Sequence, residues 1–288
     1  MILITSYYDS KNNNRNKELN RALQLNVNNP FIKHIYLLND QLYSLDFLED
    51  SDGKVTQNLI SGTRLDFFNA ITFANNYPDE LCIVANSDIS FDNTLSKLEN
   101  CNFNNVFMAL TRYDNDGYVD EKFINSHLRN SIYSQDTWIF KSPLTIKDYS
   151  MINFPFGVPG CDGRIAAILQ DEGYYVYNPS LSIKSHHHHT SNHRPYKVNK
   201  VKNLPGKRIP LSSMSIIMND LTYIHQINDN FYKNVEFKKQ RNTITIFNKP
   251  KISLKHPMTL KPPMSLEPPV SLKPPVSLKP KFVFKSKV

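Results

Sequence analysis

The chain has 288 residues, of which 40% are hydrophobic and 11% aromatic, enough to bury a core in one large domain or two small ones. Its net charge of +8 would by itself suggest an anionic partner such as nucleic acid. However, residues 249–288 carry nine Lys and one Glu, which leaves 25 of the 34 basic and 25 of the 26 acidic residues in 1–248. The globular part is therefore neutral, and we expect no specific binding to nucleic acid.

The cysteines and the N-terminus indicate a cellular compartment. Three widely spaced cysteines without a CxxC pair do not form a disulfide framework, which fits a reducing environment. The N-terminus lacks the basic segment and the long apolar run of a signal peptide, and no stretch approaches the roughly 20 apolar residues of a membrane span. We expect a soluble, cytoplasmic protein without a transmembrane segment.

Short apolar runs alternate with helical patterns as far as about residue 185, which predicts an α/β fold with a mostly parallel central sheet flanked by helices. The predicted strands are residues 2–7, 32–38, 81–85, 106–111, 137–141, 174–177 and 181–188. The predicted helices cover residues 19–27, 62–74 and 164–170, and the second has Leu65, Phe68 and Ile71 on one face. A less regular, helical extension is predicted at 211–248.

The end of the chain has a different character. Beyond Pro250 come five hexads of the type Val-Ser-Leu-Lys-Pro-Pro, and six residues are two turns of a polyproline II helix, so each hexad presents the same face. Half of the 18 prolines lie in these last 40 residues, which excludes a packed core. We predict one domain at 1–248 and a disordered, basic, Pro-rich tail at 249–288 that docks a protein or an anionic surface.

The apolar run at 81–85 ends directly in Asn86, Ser87 and Asp88. Ligands of open α/β sheets bind at the carboxyl ends of the strands. Mg²⁺ and Mn²⁺ prefer one or two carboxylates together with substrate phosphates. The sequence therefore predicts half of a metal site here, although Asn and Asp also end strands simply because they form turns.

Two further motifs suit an anionic ligand. Gly62 and Arg64 stand at a predicted helix start, where backbone N–H groups and a guanidinium attract phosphate, although a plain helix N-terminus has the same sequence. Asp162 stands at another helix start among three glycines, at 157, 160 and 163. It is either a helix cap or an acidic group of a site in which the backbone lies close to another group.

Four consecutive histidines follow at 186–189. Alternate residues of a strand share a face, so His187 and His189 are expected to point into the site together, while His186 and His188 point away. A solvated strand end or an adventitious Zn²⁺ chelator is the alternative interpretation.

In this order the motifs resemble the GT-A class of nucleotide-sugar glycosyltransferases, especially the compact enzymes encoded by large DNA viruses and some bacteria. The resemblance covers roughly residues 1–196 and is carried by ITSYY, YLLND, SGTRLDFF, IVANSDISFD, SQDTWIFKSP, GVPGCDGR and HHHHTSNHR. It implies a Rossmann-related fold and the transfer of a sugar from a UDP-sugar to a hydroxyl of a glycan, glycoprotein or other acceptor. For a viral protein the cytoplasm would be that of the host.

The resemblance also implies roles for individual positions. It assigns the nucleoside to Thr5, Ser6 and Tyr7 with Asn39 or Asp40, and the diphosphate to Gly62 and Arg64. It assigns Mn²⁺ or Mg²⁺ to Asn86, Ser87 and Asp88 with His187 or His189, and the catalytic base of an inverting displacement to Asp162. We further expect the donor or acceptor sugar to be bound by Asp136, Trp138, Gly160 and Arg164. Asn86 departs from the DxD pattern, in which an Asp stands first. Trp138 could equally belong to the core.

Two other function classes stay open. A metal-dependent phosphoester hydrolase would also use Asp and His at a sheet edge and would release nucleotide without an acceptor. A non-catalytic module that binds carbohydrate or nucleotide-sugar would turn nothing over. We also expect Asp88 to lie outside the core, and Asp162 to be a weak base because a helix N-terminus favours its ionised form.

Overall fold

The computed structural model describes residues 1–50, 52–62, 64–99, 101–115, 126–128 and 135–190, together with residues 206, 207, 209 and 211. The chain divides into two units, Met1–Arg241 and Asn242–Val288. Nearly all of the extension predicted at 211–248, and the whole tail at 249–288, lie outside the described residues and stay predictions. Within the described ranges, no helix combines the length and the apolarity needed to cross a membrane.

The described part of the chain forms three α-helices and eleven strands. The helices are α1 (Asn13–Val27), α2 (Phe67–Ala74) and α3 (Cys161–Asp171), and two short 3-10 helices cover Asn93–Leu98 and Tyr149–Ile152. The strands are β1 (Ile2–Thr5), β2 (His34–Asn39), β3 (Val55–Leu59), β4 (Leu81–Ala85), β5 (Ile89–Phe91), β6 (Val106–Thr111), β7 (Tyr113–Asn115), β8 (Ser126–Leu128), β9 (Gln135–Lys141), β10 (Tyr175–Tyr177) and β11 (Ser185–His187).

Seven strands form the main sheet in the order β10-β6-β9-β4-β1-β2-β3. Every neighbouring pair is parallel except those of β9, which runs antiparallel to both β4 and β6. The predicted α/β fold with a mostly parallel sheet is confirmed. This topology places the carboxyl ends of β1, β2, β4 and β6 at one edge, together with the amino end of β9.

Side chains alternate between two hydrophobic cores on the two faces of the sheet. In β4, Val84 belongs to the core under α2 and α3, whereas Ile83 belongs to the core under α1. Trp138 is 1% exposed in the first core, where its ring centroid lies 4.6 Å from that of Phe67. The sugar contact assigned to Trp138 is therefore wrong, because the side chain is enclosed by aromatic neighbours.

The second helix begins later than the sequence predicts. Its N-cap is Asp66, whose carboxylate accepts a hydrogen bond from the backbone N–H of Asn69. The buried face of this helix differs from the predicted face of Leu65, Phe68 and Ile71, because Phe67 is 1% exposed and Phe68 is 38% exposed. The prediction that Gly62 and Arg64 form a helix N-terminus is wrong, since an Asp side chain caps the helix two residues after Arg64.

A second sheet, absent from the sequence prediction, has the order β5-β11-β7-β8. β5 pairs antiparallel with β11, which in turn pairs in parallel with β7. Asn26 of α1 binds this sheet, because its amide donates to the carbonyl of Ile89 at 2.8 Å and accepts from the N–H of Phe91 at 3.1 Å. α1 is thereby fixed beside the histidine strand.

Candidate functional site

Thr5, Asn86, Asp136 and Asp162 lie at the edge of the main sheet where β1 and β4 end. Thr5 Oγ1 donates to the carbonyl of Ala85 at 2.9 Å, which ties the end of β1 to the end of β4. The N–H of Asn86 donates to the carbonyl of Asp136 at 3.1 Å. The N–H of Gln135 donates to Asp162 Oδ2 at 3.3 Å, so the start of α3 reaches the same edge.

The residues assigned to the nucleoside divide into buried and exposed ones. Asn39 is 2% exposed and uses both ends of its amide, accepting from the N–H of Tyr7 at 2.8 Å and donating to Gln57 at 3.0 Å. Its side chain therefore positions the backbone after β1 and does not face solvent. Ser6 is half-buried and Asp40 is exposed, so these two can meet a ligand.

Gly62 and Arg64 are both exposed in the loop before α2. Because α2 starts only at Phe67, its N-terminal N–H groups are two or more residues away from this loop along the chain. A phosphate at Gly62 and Arg64 would thus rely on the guanidinium and on loop N–H groups.

Asp88 lies against the histidine strand. The register of β5 and β11 pairs Ile89 with His187, and the N–H of His188 donates to the carbonyl of Asp88 at 2.8 Å. Asp88 Oδ2 lies 3.3 Å from His187 Nε2 and 3.7 Å from His189 Nδ1, and the two rings are parallel with centroids 5.4 Å apart. The structure thus brings Asp88, His187 and His189 together.

The other two histidines have different partners. His186 Nε2 lies 3.1 Å from Asp92 Oδ2, and His188 Nε2 lies 2.7 Å from Ser90 Oγ. Burial lowers the pKa of His188 to about 3, so this ring is neutral at physiological pH. Both serve to fix the second sheet, and the ligand cluster draws on alternate residues of the run.

The cluster suits a divalent metal ion. One ligand atom each from Asp88, His187 and His189 lies within 4.8 Å of the others. Two imidazoles and a carboxylate suit Mn²⁺ and other transition metals better than Mg²⁺, which prefers oxygen ligands. His187 Nδ1 lies 3.0 Å from Asp114 Oδ1, the kind of outer contact that orients a metal-binding imidazole.

Asn86 and Ser87 stand outside this cluster. The amide of Asn86 donates to Asp136 Oδ1 at 2.6 Å, and Ser87 is half-buried. Of the three residues after β4 that were predicted to hold a metal ion, Asp88 alone is part of the cluster.

The cluster is strongly charged. Burial raises the pKa of Asp88, but the charges of His187 and Arg15 outweigh this and hold it well below its ordinary range. Burial lowers the pKa of His187, but Asp88 and the hydrogen bond with Asp114 raise it to about 9. Without a metal ion, carboxylate and imidazole are therefore both charged at neutral pH.

The sequence analysis missed Arg15, which is 5% exposed. Its Nη2 lies 2.6 Å from Asp88 Oδ2, and its Nη1 lies 2.8 Å from His189 Nδ1 and 2.9 Å from Glu18 Oε2. Arg15 is one turn before Leu19 on the buried face of α1. The helical pattern of Leu19, Leu23 and Val27 indicates Arg15 when it is extended by one turn toward the N-terminus.

Asp136 is bound on both of its carboxylate oxygens. Oδ1 accepts from Asn86, and Oδ2 accepts from Arg112 Nη1 at 2.7 Å. Arg112 Nε also donates to Asp114 Oδ1 at 2.9 Å, and Asp114 contacts His187. Arg112 and Asp114, which the sequence analysis missed, therefore connect Asp136 to the histidine cluster.

Asp162 lies in the first turn of α3, where the N-cap is Gly160 with a left-handed φ of 91°. Its carboxylate accepts hydrogen bonds from the N–H of Gly163 at 3.0 Å and from that of Gln135. Burial nevertheless raises the pKa of Asp162 to about 6, and Asp136 adds to the increase. The expected weak base is wrong, because loss of water outweighs the helix terminus.

Gly163 of this loop serves the fold. A Cβ atom on Gly163 would lie 3.2 Å from the carbonyl oxygen of Lys207, whose own N–H donates to the carbonyl of Gly163 at 2.9 Å. The close approach predicted from the glycines is thus made by the chain itself. Gly160 is exposed, and Arg164 is buried, with no hydrogen-bond partner for its Nε among the described residues.

Several crystal structures align with this chain at a low level of similarity. S. aureus TarS 1-349 aligns with a TM-score of 0.42 and 15% identity over 65% of this chain and 60% of that chain. The complex of the same protein with UDP-GlcNAc aligns with a TM-score of 0.41 and 12% identity, over 68% of this chain and 59% of that chain. The apo-form glycosyltransferase GlyE of Streptococcus pneumoniae TIGR4 aligns with a TM-score of 0.37 and 13% identity, over 83% of this chain and 65% of that chain.

Each of these matches covers less than two thirds of the solved chain. No protein-family model matches this chain, and no curated protein matches it in sequence.

Proposed function

We propose that the chain is a glycosyltransferase that moves a sugar from a nucleotide-sugar, a UDP-sugar, to an acceptor hydroxyl. One observation carries the proposal: a buried carboxylate with a pKa of about 6, Asp162, lies at the same sheet edge as the cluster of Asp88, His187 and His189. A base and a cation site at one edge are what transfer from a diphosphate leaving group requires. The motif order points the same way.

Asp162 would take the proton from the acceptor hydroxyl in an inverting displacement. A pKa near 6 leaves the carboxylate ionised at neutral pH and makes it a stronger base than an ordinary Asp. Gly163 and Gln135 hold it through backbone N–H groups, so its orientation is fixed before the acceptor arrives.

The donor would lie between the histidine cluster and the exposed residues at the ends of β1 and β2. A divalent ion held by Asp88, His187 and His189 would supply Lewis-acid stabilisation of the diphosphate leaving group. Ser6 and Asp40 would contact the nucleoside. Gly62 and Arg64 remain the proposed diphosphate contacts, and Gly160 and Arg164 the proposed sugar or acceptor contacts.

A panel of nucleotide-sugars, with and without acceptors, tests the proposal. UDP-GlcNAc, which one structural neighbour binds, is the first donor to try. Release of nucleoside diphosphate that increases with an acceptor supports transfer. Release without any response to acceptors would indicate a hydrolase, and tight binding without release would indicate a binding module.

Metal and diphosphate should stabilise the protein together. We expect UDP to raise the melting temperature more in Mn²⁺ than in EDTA, because the diphosphate supplies ligands that complete the shell of the ion. Differential scanning fluorimetry with UDP, UMP and uridine measures the effect, and uridine is the control without phosphate. Equal shifts for UDP in Mn²⁺ and EDTA would contradict the metal site.

The Pro-rich tail should be dispensable for turnover. Deletion of residues 249–288 is expected to leave donor turnover and the melting temperature unchanged, because a polyproline repeat adds little to a core. The shortened chain should bind anionic vesicles less well, since nine Lys are removed. A truncated protein that fails to fold would show that the tail belongs to the domain.

A further inference from the structure

Arg15 uses the atoms that a metal ion would need. Asp88 Oδ2 lies 3.3 Å from His187 Nε2 and 3.7 Å from His189 Nδ1, and one ligand atom from each of the three residues lies within 4.8 Å of the others. Arg15 lies 2.6 Å from the first of these atoms and 2.8 Å from the third. A guanidinium has no lone pair to offer, so His189 Nδ1 accepts its hydrogen bond with the electron pair that would bind a metal.

The guanidinium and a divalent ion therefore compete. Both are cations, both bind the same oxygen and nitrogen, and like charges a few ångströms apart in a buried site repel strongly. The ion can bind all three ligands only after Arg15 has released two of them.

Arg15 also forms an ion pair with Glu18, and this pair can persist when the guanidinium leaves Asp88. Its Nη1 donates to Glu18 Oε2 at 2.9 Å, and Glu18 is 3% exposed. The other oxygen of Glu18 accepts from Thr190 N and Oγ1 at 2.6 and 3.0 Å, so the carboxylate is fixed. A guanidinium that left Asp88 would still be neutralised by Glu18.

We propose that Arg15 occupies the cation position of this site in the nucleotide-free protein, and that a divalent ion enters only together with a diphosphate. The diphosphate supplies the negative charge and the oxygen ligands that allow two positive groups side by side. Arg15 is thus a positioning residue that couples metal binding to donor binding. The inference rests on the metal site of the proposed function and on no particular sugar or acceptor.

Mn²⁺ binding, measured by electron paramagnetic resonance and calorimetry, tests the coupling. We expect wild type to bind Mn²⁺ at least tenfold more tightly with saturating UDP than without it. In the absence of UDP, Arg15→Gln should bind Mn²⁺ at least tenfold more tightly than wild type does. Addition of UDP should increase the Mn²⁺ affinity of this variant by a smaller factor than that of wild type. Lys54→Gln removes a half-buried cation whose Nζ donates to the backbone carbonyl of Val27 at 2.8 Å, away from the ligand cluster, and its Mn²⁺ affinity should stay within about threefold of wild type.

Each other outcome overturns the inference in a distinct way. Equal Mn²⁺ affinity of wild type and Arg15→Gln without UDP would exclude competition, and an equal gain in Lys54→Gln would reduce the effect to net charge. Absence of Mn²⁺ binding in every variant, even with UDP, would refute the metal site itself. If Arg15→Gln does not fold, Arg15→Gln/Glu18→Gln removes the ion pair as a whole and takes its place. Lack of sugar transfer would refute the proposed function and leave the binding result valid.

Discussion

Replacement of Asp162 with Asn should lower the rate of sugar transfer by about 100-fold or more while the protein stays folded. Asn has the same size, and its amide oxygen can accept the hydrogen bond of one backbone N–H, that of Gly163, but its NH2 group cannot accept the longer bond from Gln135 and the side chain cannot take a proton. Acceptor-dependent release of nucleoside diphosphate measures the loss. UDP binding should survive, because the proposed donor contacts lie elsewhere.

The same substitution should stabilise the protein at high pH. The folded pKa of about 6 lies above the ordinary value of 3.8, so ionisation of Asp162 disfavours the folded state. The difference in free energy of unfolding between Asp162→Asn and wild type should be near zero below about pH 4, grow as pH rises, and level off above about pH 6 at up to about 3 kcal/mol. Urea unfolding at several pH values checks this.

Wild-type activity should follow the same group. The kcat/KM value for transfer should fall about tenfold per pH unit below about pH 6, where the carboxylate becomes protonated. Asp171→Asn, at the exposed end of the same helix, is the matched control and should transfer normally. Normal transfer by Asp162→Asn would reduce Asp162 to a structural residue of the helix start.

Replacement of Asp88 with Asn should abolish the part of donor turnover that Mn²⁺ stimulates. It should also destabilise the fold, because Asp88 is 6% exposed and bonded to Arg15, contrary to the expectation that it lies outside the core. Breaking a buried ion pair costs about 3–5 kcal/mol, and the lower value applies here because Glu18 still neutralises the arginine. Turnover with and without Mn²⁺, together with chemical unfolding, measures both effects.

Asp92→Asn separates stability from the metal role. Asp92 accepts from His186 and caps the 3-10 helix after β5, so its loss should also weaken the fold. It has no place in the ligand cluster, and its Mn²⁺ stimulation should persist. Stimulation that survives in Asp88→Asn would contradict the metal site, whatever the stability of that variant.

The main sheet was predictable because its strands are continuous apolar runs. β4 and β6 were predicted to the residue, since strands buried on both faces need apolar side chains throughout. β5, β7 and β8 have three residues each, too few for any periodicity to appear. The pairing of Ile89 with His187 joins segments almost 100 positions apart, and no local pattern encodes it.

The candidate site was predictable where residue type alone indicates the chemistry. Asp88, His187 and His189 were found because carboxylate and imidazole at strand ends suit metal ions. Arg15 was missed because its role depends on a contact across 73 positions. The strength of Asp162 as a base was misjudged because burial, which the sequence does not report, changes the pKa more than the nearby helix terminus does.

The contact between Asn86 and Asp136 explains why the first position of the DxD pattern is an amide in this chain. The amide donates to Asp136 Oδ1 at 2.6 Å, and a carboxylate at 86 would instead face the carboxylate at 136 with no proton between them. The two positions therefore carry one negative charge between them. In chains that share this architecture, an Asp at the position of residue 86 and an Asp at the position of residue 136 should exclude each other. These two positions should therefore vary as a pair in evolution.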